Sequence, residues 1–280
     1  MARAGIEAFY LPAEAGPGER FCIHHRPAPG VAVRCAFVYL HPFAEEMNKS
    51  RRMAAMQARA LADAGWAVLQ IDLAGCGDSS GDLADAGWDG WLGDALQAHR
   101  WLSAAHGVVP GFWGLRAGCL LAAEAARTLA EPVDHVYWSP VWQGKQVLAQ
   151  FLRLKTAAAI VSGERRDVGD DPKQALARGE TVEIAGYRLP PAVAQGLERA
   201  TLAPPAAGRH GLWFEVDPRP EAQAELSPAT VRALDAWKPA HATLHAARVT
   251  GPAFWQTQEI EDAPALIAST VAAVGAWSLQ

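Results

Sequence analysis

Three short stretches, VRCAFVYL (33–40), WAVLQIDL (66–73) and GFWGL (111–115), are apolar at nearly every position. Strands built from them can meet water on neither face, so each predicts a central strand with helices on both sides. The segments between supply those helices. In MNKSRRMAAMQARALADA (47–64), Met53, Met56, Ala60 and Leu61 recur at helical spacing and Gly65 marks the stop. A tryptophan-bearing helix is predicted over about 88–105, and VDHVYWSPVW reads as a further strand. Two β-rich runs, IEAFYLPA and RFCIHHRPA, precede the alternation. Strand–helix–strand order with short connections predicts an α/β fold with a mostly parallel, doubly wound sheet.

Beyond residue 143 the alternation loosens. A helix, QVLAQFLRLKTAAAIV, leads to the charged stretch GERRDVGDDPKQ, read as a loop. A hairpin, ETVEIAGYRL, and a helix from Pro191 to about Leu202 follow. The core pattern resumes with GLWFEVD, a helix over 228–237, the strand ATLHAARV and a helix from about Pro264. Residues 1–280 therefore read as one domain, with 143–208 an excursion between core strands. Its place suggests a lid over the sheet's C-terminal edge, where sites of α/β folds lie.

Half of the residues are hydrophobic, a fifth are charged, and the net charge is −5. That balance builds a core and leaves no basic footprint for nucleic acid or anionic lipid. No apolar run is long enough for a membrane span, and the first twenty residues lack the apolar stretch of a signal peptide, so a cytoplasmic location is expected. Cys22, Cys35, Cys76 and Cys119 are scattered without the spacing of metal ligands. Reduced thiols, no metal and no cofactor are expected.

At the third core strand the chain reads G114-L-R-A-G118 and then runs into an alanine-rich helix. This resembles the nucleophile elbow of the α/β-hydrolase superfamily, G-x-S-x-G, with Arg116 at the centre. Two more landmarks lie in the superfamily's order: His41-Pro42-Phe43 where an oxyanion loop begins, and Asp72-x-x-Gly75-x-Gly77-x-Ser79 after the next strand. A dinucleotide-binding domain is the rival fold, but no G-x-G-x-x-G follows the first strand. More narrowly, HPFAEEMNKSRRM, QIDLAGCGDSSGD, GFWGLRAG and FWQTQEIEDAPAL resemble the second of two hydrolase-like proteins of exosortase A systems. Those systems process PEP-CTERM surface proteins and make exopolysaccharide. The resemblance covers most of the chain, is weakest over 160–210, and implies an arginine in the elbow. The family's label reflects its fold and implies no reaction.

Acyl transfer needs a nucleophile, a base and an acid that orients the base. Asp217, in GLWFEVDP, stands where the acid is expected. The loop VTGPAFWQTQEIED, where the base belongs, contains no histidine and offers Trp255 and Gln256 instead. His241 and His245 lie toward the start of that strand. A guanidinium cannot attack a carbonyl at neutral pH. Ordinary Ser-His-Asp chemistry is therefore not expected. The Phe43 and Ala117 N–H groups remain as oxyanion donors, and Arg116 beside them suggests a site for an anionic or acyl ligand. The competing expectation pairs Arg116 internally with Asp217, Glu45 or Glu46.

An active hydrolase or acyltransferase built from Glu45, Glu46, His41 and Arg116 is the alternative. Cys119 and Cys76 are weak nucleophile candidates, and Asp72, Ser79 and Ser80 read as loop-forming residues. Trp138, Trp142 and Trp255 are expected at the rim of the site, to stack on a sugar or anchor a lid. A companion hydrolase-like protein, or a second copy of the chain, is a conceivable partner.

Overall fold

The computed structural model describes residues 4–14, 16–162, 171–219 and 225–277. Eight strands form one sheet: β1 (Gly5–Pro12), β2 (Glu19–Arg26), β3 (Ala36–Leu40), β4 (Ala67–Ile71), β5 (Gly111–Leu115), β6 (Val133–Trp138), β9 (Gly208–Asp217) and β10 (His241–Thr250). Two more, β7 (Val182–Ile184) and β8 (Tyr187–Leu189), make a separate hairpin. The sheet order is β1-β2-β4-β3-β5-β6-β9-β10. The first two strands join antiparallel, and every pairing from β4 to β10 is parallel.

The apolar runs became the middle of the sheet, and every residue of β3, β5 and β6 is buried. Alternate side chains feed two cores. Val38, Leu40, Phe112, Tyr137 and Trp213 face one layer, which holds α2 (Trp88–His106), α3 (Gly118–Thr128) and the end of α7 (Pro228–Trp237). Phe37, Tyr39, Trp113, Trp138 and Phe214 face the other, beneath α1 (Glu45–Asp63) and α8 (Pro264–Trp277).

Between β6 and β9 the chain makes its excursion through α4 (Gly144–Ser162), α5 (Pro172–Ala177), the β7–β8 hairpin and α6 (Pro191–Arg199). It leaves and returns at one neck: Gln143 bridges Thr201, the Gly144 N–H donates to the Ala200 carbonyl at 2.9 Å, and the Leu202 N–H donates to the Trp142 carbonyl at 2.9 Å. That neck ends α6 at Arg199, earlier than the sequence spacing predicts. Ala185 and Gly186, both at positive φ (49° and 84°), make the two-residue mirror-image turn that suits the twist of a hairpin. The charged stretch GERRDVGDDPKQ lies mostly outside the described residues. Its end forms the short helix α5 instead of loop, because Asp171 accepts the Lys173 N–H at 2.9 Å and Pro172 takes a first-turn position. The excursion sits tightly on the sheet's helices, since a Cβ at Gly196 would fall 2.0 Å from that of Trp88.

Burial also sets an acid limit on the fold. Seven of nine histidines (24, 25, 41, 99, 106, 135 and 241) are held below their ordinary pKa of 6.5 chiefly by desolvation, His24 to about 4 and His135 to about 3. The folded chain keeps them neutral while the unfolded chain protonates them near pH 6.5, so unfolding takes up protons below that pH and stability falls. Thermal melting from pH 8 to 5 should show a nearly flat Tm above pH 7 and a steep decline below about 6.5. A Tm unchanged down to pH 5 would contradict the buried neutral imidazoles.

Candidate active-site region

β5 ends at Leu115 and α3 starts at Gly118, leaving Arg116 and Ala117 to make the turn. Arg116 has φ of +53°, a left-handed conformation that costs a side-chain-bearing residue about 1 kcal/mol or more. Its N–H donates to the Trp138 carbonyl at 3.0 Å. The flanking glycines are steric requirements. A Cβ at Gly118 would lie 2.1 Å from the Leu40 carbonyl oxygen, and one at Gly114 2.7 Å from the Cys119 backbone. The elbow geometry is thus complete although its central residue is an arginine.

The guanidinium lies between a carboxylate and an aromatic ring. Arg116 Nε donates to Glu46 Oε1 at 3.4 Å, and Arg116 Cζ stands 5.3 Å from the Trp255 ring centroid. Both members of the ion pair keep about a fifth of their side-chain surface, 18% and 22%. Burial pushes the Glu46 carboxyl up, and the facing guanidinium opposes that shift. Of the three expected partners, only Glu46 pairs with Arg116. Glu45 is exposed and accepts from the Tyr187 hydroxyl at 3.0 Å, while Asn48 Nδ2 donates to the same hydroxyl at 2.9 Å. Asp217 does end β9, as the acid position requires, but it is engaged by Arg219 at 2.7 Å and by Arg248. The Arg219 hydrogen bonds hold its carboxyl well below the usual range.

His41 Nδ1 lies 2.8 Å from the Pro42 carbonyl, and Nε2 accepts the Leu73 N–H at 3.4 Å, a pattern that assigns the Nδ1–H tautomer. Burial lowers its pKa, and with both nitrogens occupied it ties the oxyanion loop to the turn after β4. His241 begins β10 opposite Gly208, whereas Asp217 pairs with Thr250 at the other end. His245 lies mid-strand, opposite Leu212. The Asp72 loop is structural: Asp72 Oδ2 accepts from Arg51 at 2.9 Å and from the Asp78 N–H at 3.0 Å. Ser79 Oγ accepts the Phe21 N–H and Ser80 Oγ the Glu19 N–H. Burial pushes the Cys76 thiol up to about 12 and raises Cys119 as well, so neither is a thiolate.

Beside the elbow is a cavity of about 280 Å³. Its walls are the oxyanion loop (His41 to Ala44), Met47 and Asn48, the turn after β4, Trp88 and Trp91, Ala117 with Gly118, and Tyr187 and Leu197 from the excursion. Phe43 and Ala117 both line it, and among the described residues neither N–H has a protein acceptor. Arg116 is not part of this wall. The rim expected from Trp138, Trp142 and Trp255 is corrected. Trp138 is fully buried and donates from Nε1 to Thr270, because the last residue of β6 faces the α1–α8 core. Trp255 is buried against Phe254 under the guanidinium. Trp142 is half-buried beside Trp213, and Gln256 is exposed. The tryptophans that do face the cavity, Trp88 and Trp91, escaped sequence reading; their i,i+3 spacing in GWDGWLGD was the available signal. Their indole N–H groups are tied to Glu124 at 2.8 Å and the Ala74 carbonyl at 2.9 Å.

The arrangement predicts which side chains couple. A double-mutant cycle of Arg116→Gln with Trp255→Leu, read by urea unfolding, should give about 1 kcal/mol, and Arg116→Gln with Glu46→Gln a few tenths to about 1. Arg116→Gln with Asp217→Asn should give none. A cycle dominated by Asp217 would refute the assignment.

No family model matches the sequence. Over 103 residues the chain is 36% identical to human protein ABHD12B, a match spanning 35% of this chain and 27% of that protein. Solved structures match almost end to end at low identity. Est1E from Butyrivibrio proteoclasticus, with bound ferulic acid, superposes with a TM-score of 0.66 at 15% identity, over 97% of this chain and 98% of that one. XC6422 from Xanthomonas campestris, an α/β serine hydrolase without a lid, gives 0.54 at 17%, over 98% and 95%. Mouse α/β-hydrolase domain-containing protein 10 gives 0.54 at 14%, over 97% and 98%. With the strand order and the elbow, these likenesses show that the chain is an α/β-hydrolase-like protein by fold.

Proposed function

We propose that this chain is a non-catalytic hydrolase-like protein that binds a small acyl ligand in a retained oxyanion pocket. One observation carries the reading. Where the superfamily places a nucleophile and its base, this chain has a guanidinium held between Glu46 and the Trp255 ring. The residues 143–208 act as the lid of a single α/β-hydrolase domain, since Tyr187 and Leu197 complete the cavity wall. The motif HPFAEEMNKSRRM supports a place in an exosortase and exopolysaccharide system, with a companion hydrolase-like protein as a candidate partner. Four free cysteines agree with a cytoplasmic setting, and among the described residues no helix is long and apolar enough to cross a membrane.

An active hydrolase using Glu45, Glu46, His41 and Arg116 is the weaker reading. Each of those groups is engaged by another: Glu45 by Tyr187, Glu46 by Arg116, His41 by Pro42 and Leu73.

Purified protein should leave p-nitrophenyl butyrate at the uncatalysed rate. Arg116→Ser should do no better, because Trp255 still fills the place of the base. Saturable turnover by the natural chain, abolished by a cavity substitution such as Leu121→Trp, would end the non-catalytic reading. Turnover by Arg116→Ser alone would reveal a base elsewhere.

A further inference from the structure

Away from the elbow, on a strand three places from β5 in the sheet, two imidazoles meet. His24 is buried on β2, and His106 is half-buried as the last residue of α2. Their Nε2 atoms stand 2.9 Å apart, with ring centroids 5.0 Å apart and the ring planes inclined at 57°. The Trp101 ring meets His24 edge-on at 5.1 Å and closes one side of the pair. Only one of two neutral rings can donate across such a contact, so the other Nε2 offers its lone pair. Desolvation holds both rings below their ordinary pKa, so neither is a cation at neutral pH. A tautomer shift that moves the donor's proton to Nδ1 leaves two Nε2 lone pairs side by side.

That spacing suits a shared metal ion. Two nitrogens bound to one ion at 2.0–2.1 Å lie about 2.9 Å apart at a right angle and about 3.3 Å apart at the tetrahedral angle. The observed separation is the right-angled one, which belongs to tetragonal or octahedral ions with imidazole ligands.

We propose that His24 and His106 bind one divalent first-row transition ion of right-angled geometry, Ni(II) or Cu(II), with water in its remaining positions. Among the described residues no group of three His, Cys, Asp or Glu ligands stands together, so the protein supplies the two nitrogens. The charged groups beside the pair are Arg26, which opposes a cation, and Glu7, which stands opposite His24 in the β1–β2 ladder. Glu7 offsets Arg26 through a 3.6 Å ion pair. His25, the next residue, is bonded to Gln70 instead. The sequence expectation of no metal rested on ligand spacing along the chain, and these two residues are 82 positions apart. A bound ion joins β2 to the end of α2 and stabilises the fold by mass action. The site is independent of the acyl pocket.

The test is isothermal titration of the full chain, free of any polyhistidine tag, with NiCl2 at pH 7.5. One ion per chain should bind, and His106→Gln should weaken it at least tenfold. His245→Gln, at an exposed position on β10, should leave binding unchanged. ZnCl2, which favours tetrahedral ligands, should bind severalfold more weakly than NiCl2. Electron paramagnetic resonance of the natural chain with one equivalent of CuCl2 should show splitting from two nitrogens, a readout that needs no buried variant to fold. Absence of nickel binding, or binding that His106→Gln leaves unchanged, would overturn the site. Loss of binding in His245→Gln alone would overturn it in favour of a single surface imidazole. Tighter binding of Zn(II) than of Ni(II) would overturn the right-angled geometry.

Discussion

The close approach of α3 to β3 is the contact on which the rest of this site depends. Gly118 sits so near the Leu40 carbonyl that no side chain can intervene. The approach holds the start of the helix beside the oxyanion loop, which brings Ala117 and Phe43 to one cavity. It also forces the chain between β5 and α3 into a turn so short that its central residue takes a positive φ. The backbone imposes that conformation on whatever residue stands there, and here Arg116 bears the strain.

Given that turn, the arginine's surroundings explain how the site tolerates a charge. A guanidinium is planar and weakly hydrated, so it can lie on an aromatic face with one edge toward a carboxylate. Trp255 supplies the face and Glu46 the carboxylate. The loop that would carry a histidine carries the tryptophan instead, so the two departures from the hydrolase pattern satisfy each other. Asp217, meanwhile, has its own arginines and plays no part in that exchange.

Much of this was legible in the sequence, for identifiable reasons. Continuous apolar runs located β3, β4 and β5, because strands buried on both faces leave no other pattern. The glycines of the elbow were legible because steric exclusion leaves a fixed signature. The choice of Glu46 over Glu45 was not, since adjacent residues on a helix's first turn point in different directions and only the neighbouring elements decide between them. Trp138 was misjudged for a similar reason: a strand's last residue can face either layer, and its side follows from the register of β6. Trp88 and Trp91 were placed only on a predicted helix, because their role follows from Tyr187 and Leu197 of the distant excursion, which share the cavity wall with them.

The neck at Gln143 and Thr201 makes the excursion a module. The chain leaves the sheet and returns to it through adjacent hydrogen-bonded segments, so the length and composition of what lies between impose no strain on β6 or β9. One wall of the pocket can then drift under selection while the oxyanion loop, the elbow and the two cores stay fixed. Chains built on this frame can therefore share the sheet and the elbow while differing in what they hold.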